Sequence, residues 1–101
     1  MFPKLVRDKI PDIIVNDNKT VVYRKLIDDE EFKKYLNKKL LEEVNEYLEN
    51  NDVSELADIL EVVYSIAEVN GISKVNLEND RRSKEFKKGN FSNRLLIEEV
   101  K

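Results

Sequence analysis

Leu40-Leu41-Glu42-Glu43-Val44-Asn45-Glu46-Tyr47-Leu48-Glu49-Asn50-Asn51-Asp52-Val53-Ser54-Glu55-Leu56-Ala57-Asp58-Ile59-Leu60-Glu61 is the stretch on which the fold turns. It reads as the end of one amphipathic helix, a tight turn, and the start of a second helix. Phe32, Leu36, Leu40, Val44, Tyr47 and Leu48 repeat at helical spacing, and Asp28 with Glu31 three residues later forms an N-terminal capping box. The first long helix therefore runs from about Asp28 to about Glu49, where Asn50-Asn51 stop it. The second starts at a cap on Asp52 and carries two apolar stripes. One is Val53, Leu56, Ala57, Leu60, Val63, Tyr64 and Ala67; the other is Ile59, Val62, Ile66 and Val69. A connection this short makes the helices antiparallel neighbours. A helix with two apolar stripes is covered on more than one side, so a further helix or a second subunit is expected on it.

Working outward, Gly71 sits where a glycine ends a helix, and residues 73–88 read as a polar helix anchored by Val75, Leu77 and Phe86. Toward the N-terminus, Ile10, Ile13 and Ile14 with Pro11 predict a short helix from about 11 to 16. Thr20-Val21-Val22-Tyr23-Arg24 is β-branched and aromatic and reads as a short strand, and Arg94-Leu95-Leu96-Ile97-Glu98-Glu99-Val100 reads as a final strand that could pair with it. The expected fold is mainly all-α: an antiparallel helix hairpin that forms a bundle on oligomerisation. A small peripheral β-ribbon from residues about 20–25 and 94–100 is expected beside it, all within one domain spanning 1–101.

The chain has no Cys and no His, which removes thiol nucleophiles, disulfides, Cys/His zinc sites and a Ser-His-Asp triad. Carboxylate, Lys, Arg, Tyr and hydroxyl remain. No apolar run approaches the roughly 20 residues of a membrane span. Lys4, Arg7, Asp8 and Lys9 interrupt any signal-peptide pattern, so a cytoplasmic protein without membrane partners is expected.

Charge is unevenly placed. Leu40 to Ser73 holds nine acidic residues and no Lys or Arg, while the rest of the chain has twelve acids against eighteen bases. Glu43 and Glu46 lie three apart, as do Glu55 and Asp58, and such pairs share a helix face. Both pairs are near the turn, so the four carboxylates can converge. Unneutralised, they repel and raise their own pKa values; a hard cation such as Mg²⁺, or Mn²⁺, removes that cost. Two plainer readings stand beside this one. Asp52-Val53-Ser54-Glu55 also matches a capping box, and Lys39 with Glu43 is an ordinary i, i+4 pair. At the other end, Arg81, Arg82, Lys84, Lys87, Lys88 and Arg94 stand against one acid, Glu85. Carboxylates for metal and bases for phosphate suit a nucleoside-phosphate hydrolase. A net acidic chain with no aromatic-rich binding motif does not suit nucleic acid.

With these residues in view, the chain resembles the MazG-like all-α NTP pyrophosphatase superfamily, and within it the phosphoribosyl-ATP pyrophosphohydrolase-like branch. Lys4 through Pro11 is similar to that branch's opening signature, Lys39 through Glu46 to its first acidic motif, and Glu55 through Glu61 to its second. Lys84 through Phe91 resembles its basic segment, with Asn90 where a glycine is usual, and the eight-residue spacer between the acidic pairs is short for the superfamily. The resemblance implies Mg²⁺-dependent cleavage of a nucleoside triphosphate, or a related nucleotide, between the α- and β-phosphates. It implies Glu43, Glu46, Glu55 and Asp58 as metal ligands, and a carboxylate such as Glu42, Glu43 or Glu61 orienting or deprotonating the attacking water. Lys39, Lys84, Lys87, Lys88 and Arg7 would neutralise phosphate charge, and the protein would be a homodimer or homotetramer. A non-catalytic helical oligomer with a binding or regulatory role is the alternative; phosphoribosyl-ATP hydrolysis proper is a narrower one.

Overall fold

The computed structural model describes residues 2–101 and contains four helices in the order α1 (Ile10–Asn16), α2 (Asp29–Asn50), α3 (Glu55–Val69) and α4 (Lys74–Lys88). The all-α expectation holds among the described residues. α2 and α3 pack directly on each other, joined by only residues 51–54, and α4 touches α3. Asp28 caps α2 by accepting from the Glu31 N–H at 3.0 Å. Asn51 ends the helix in a left-handed conformation, with its N–H donating to the Tyr47 carbonyl at 2.7 Å. α3 stops in a two-bond C-cap: the Ile72 N–H donates to Ala67 O at 2.8 Å and the Gly71 N–H to Glu68 O at 2.9 Å. Gly71 has φ +80°, the geometry this cap requires and a side chain resists. Ser73 then caps α4 by accepting from the Asn76 N–H.

Two expectations are corrected. The second long helix begins at Glu55, not at Asp52. Residues 52–54 instead form a tight turn in which Asp52 Oδ1 accepts from the Ser54 N–H at 2.9 Å and from Ser54 Oγ at 2.8 Å. The β-ribbon is also absent among the described residues: 20–25 and 94–100 are both without strand structure. Strand propensity expresses packing on a sheet, and neither segment has a partner strand. Leu95, Leu96, Ile97 and Val100 are left in solvent, and Arg24 is instead held by Glu31 through two hydrogen bonds.

The core of the single chain is thin. Leu36 (2% exposed), Val62 and Ala67 are its buried apolar residues, flanked by half-buried Phe32, Leu40, Val44, Ile59 and Ile66. The Ile59-Val62-Ile66-Val69 stripe is thus buried or half-buried, whereas Leu56 and Leu60 of the other stripe remain exposed. No described helix is long and apolar enough to cross a membrane.

Candidate metal and phosphate site

The acidic residues of α2 and α3 meet where the two helices pack. Glu43 is on the inward side of α2, two turns beyond Leu36 in the same heptad-like row, and is only 7% exposed. Burying a carboxylate is costly unless it gains partners, so this placement asks what Glu43 is held for. Oxygens of Glu43, Glu55 and Asp58 lie within 4.8 Å of one another, and those of Glu42, Glu43 and Glu46 form a second such group. Glu43 belongs to both. The i, i+3 spacing puts Glu55 and Asp58 on the face of α3 that turns toward α2, and the short link fixes their level opposite Glu43.

The four expected ligands are therefore divided. Glu43, Glu55 and Asp58 form one set, and Glu46 stands with Glu42 on the α2 side. The capping-box reading of Glu55 has little left to explain, since Asp52 bonds Ser54 and the Glu55 carboxylate joins the cluster.

Electrostatics follow from this crowding. Burial raises the Glu43 carboxyl above the ordinary glutamate range; Lys39 opposes that shift, while Glu46 and Asp58 add to it. Glu55 is raised as well, by desolvation first and then by Glu46, Asp58 and Glu43. Cations line the cluster's edge. Lys39 Nζ lies 3.3 Å from both Glu42 and Glu43, Lys4 Nζ is 3.7 Å from Glu42, and Arg7 Nη2 donates to Asp58 Oδ1 at 2.6 Å.

Four of these groups, Arg7, Lys39, Glu43 and Asp58, border a cavity of about 500 Å³; Lys4, Glu42, Glu46 and Glu55 do not line it. Its polar side is Arg7, Asp8, Lys9, Lys39, Glu43, Asp58, Glu61 and Ser65; its apolar side includes Leu5, Val6, Ile10, Phe32, Leu36 and Val62. Glu61 thus reaches the cavity without joining either carboxylate group. Lys84, Lys87 and Lys88 are at the far end of α4, a helix that packs on α3 alone, and they do not line this cavity. The N-terminal arm takes their place beside the carboxylates. Its role has a weak signal in the sequence, a small cluster of bases at Lys4, Arg7 and Lys9. Nothing in local spacing pairs Arg7 with a residue 51 positions away.

The donor set fits a hard divalent cation. It is all carboxylate oxygen, which such ions prefer. Two ligands at about 2.1 Å from Mg²⁺ sit at most about 4.2 Å apart, so oxygens already within 4.8 Å need only small side-chain rotations. Comparison with protein-family models, with curated proteins and with solved structures finds no match.

Proposed function

We propose that this protein is a Mg²⁺-dependent nucleotide pyrophosphohydrolase that cleaves a nucleoside triphosphate, or a related nucleotide, between its α- and β-phosphates. The observation that carries this reading is the buried Glu43, shared by two carboxylate groups and facing a cavity edged with Lys39 and Arg7. The resemblance of the acidic motifs to the MazG-like superfamily supports it. Glu43, Glu55 and Asp58 would hold the ion, with Glu46 contributing from the α2 side. Mg²⁺ (or Mn²⁺) supplies charge neutralisation at the phosphates and a more acidic water. Glu61, at the cavity wall, or Glu42, beside Glu43, orients the attacking water and accepts its proton. Lys39 and Arg7 balance the charge that grows on the phosphate oxygens at the transition state. The apolar wall of Leu5, Val6 and Phe32 suits the flat face of a base. Lys84, Lys87 and Lys88 serve substrate only if a second copy brings its α4 across the site. The test is a nucleotide panel assayed for pyrophosphate. Release that requires Mg²⁺ and stops with a chelator supports the proposal; no release from any nucleotide removes it. Including phosphoribosyl-ATP in the panel decides the narrower biosynthetic reading.

One observation favours a second reading, a helical oligomer without catalysis: the large apolar surface left open on α3 and α4. The two readings part on metal. A protein with the proposed site melts higher as Mg²⁺ rises, by mass action on the folded state. The non-catalytic oligomer does not respond.

A further inference from the structure

The N-terminal arm places its cations where the proposed function needs a metal. Arg7 bonds Asp58, Lys4 approaches Glu42, and the arm from Leu5 to Ile10 forms one wall of the same cavity. A divalent ion held by Glu43, Glu55 and Asp58 draws on the same carboxylate charge that Arg7 now neutralises, so the two cations compete for Asp58 whichever of its oxygens the ion takes. The Arg7 contact is also built to let go. It is a single Nη2–Oδ1 bond between groups 55% and 42% exposed. Elsewhere in the same chain an arginine grips its carboxylate with both prongs: Arg24 meets Glu31 at 3.0 and 2.8 Å. The two pairs are similarly exposed, so the difference lies in the bonding: a paired fork holds geometry, whereas a one-point pair exchanges more readily.

We propose that Arg7 is a placeholder cation: it neutralises Asp58 while the site is metal-free, and it transfers to the phosphates when the metal–nucleotide complex enters. This rests on the metal-dependent reading above and adds an order of binding to it. Free metal competes with a tethered guanidinium and binds weakly. Metal arriving with a polyphosphate offers Arg7 a new anion, so the arm closes over the nucleotide as Asp58 is freed for the ion. The arm thus makes metal and nucleotide affinity mutually dependent, each raising the other by the same factor.

The experiment titrates Mn²⁺, followed by its paramagnetic resonance, into the full chain, Arg7→Gln, and Arg24→Gln as a control on a distant pair. Each titration runs with and without an α,β-methylene nucleoside triphosphate. Without nucleotide, Arg7→Gln binds Mn²⁺ about three- to tenfold more tightly than the unmodified chain, and the gain shrinks at high salt. With the analogue present that advantage is lost, and Arg7→Gln binds the analogue more weakly. Arg24→Gln changes neither. Equal or weaker Mn²⁺ binding by Arg7→Gln without nucleotide overturns the placeholder role while leaving the metal site standing. Absence of Mn²⁺ binding in every protein overturns the metal-dependent reading and this inference with it. In the unmodified chain, the Arg7 guanidinium nitrogen resonances shift when Mg²⁺ is added; unmoved resonances at saturating Mg²⁺ overturn the proposal without recourse to a variant.

Discussion

Glu43 occupies a position that an apolar residue would fill at less cost, two turns along α2 from Leu36. Its carboxyl and that of Glu55 are both raised by desolvation and by neighbouring acids. Between the ordinary and the raised values these groups bind more protons folded than unfolded. The stability they contribute is therefore complete below the ordinary glutamate range and is lost as pH climbs through the raised values. Glu31, Asp52 and Glu78 are shifted the opposite way and act oppositely, so the whole-protein melt mixes both signs. A variant separates them. Glu43→Gln is expected to melt at or above the unmodified protein at neutral pH without metal, with an advantage that fades toward pH 4; thermal melts across that range check it. Saturating Mg²⁺ reverses the order. On the proposed function, the carboxylate grouping sets an expectation for activity. Asp58→Asn, within the Glu43–Glu55–Asp58 group, is expected to cost more pyrophosphate release than Glu46→Gln, which touches only the second group. Glu43, Glu55 and Asp58 were legible in the sequence because i, i+3 spacing and a short turn are local geometry. Arg7 on Asp58 was not, because no local rule joins the arm to α3.

At the scale of elements, the helix ends follow local chemistry closely. Asp28 with Glu31 and the Gly71 cap satisfy orphan backbone groups at residues the sequence singles out, and Ser73, read as the first residue of the polar helix, caps it by accepting from the Asn76 N–H. Gly71→Ala meets no atom within 4 Å, so its whole cost is the positive φ, about 1 kcal/mol by chemical denaturation. Leu36→Ala, at the most buried apolar position, is expected to cost about 2–5 kcal/mol in the same measurement. The reading failed where an element depends on a distant partner. Residues 20–25 and 94–100 have strand-like composition but no strand to pair with. The start of α3 differs for a local reason instead: Asp52 bonds Ser54 in a tight turn, and the helix begins at Glu55.

The whole molecule is open for its size. It exposes 9332 Å², whereas a compact monomer of this mass exposes about 5,900 Å². Its radius of gyration is 17.7 Å against roughly 13 Å for a compact chain of this length. Leu56 and Leu60 on α3, and Phe86 on α4, are exposed on helices with few or no buried residues. The homo-oligomer expected from the two stripes of α3 would cover them. Sedimentation equilibrium is expected to give a multiple of the 11.9 kDa chain mass, and Leu60→Asp to shift it toward monomer.

The most direct test of the account is Mg²⁺-dependent pyrophosphate release, measured side by side for the unmodified protein, Glu55→Gln and Asp58→Asn on the best nucleotide of the panel. Release as monophosphate plus pyrophosphate is expected, lost by about 100-fold or more in each variant, because each removes a proposed metal ligand. Equal rates in all three proteins would contradict it.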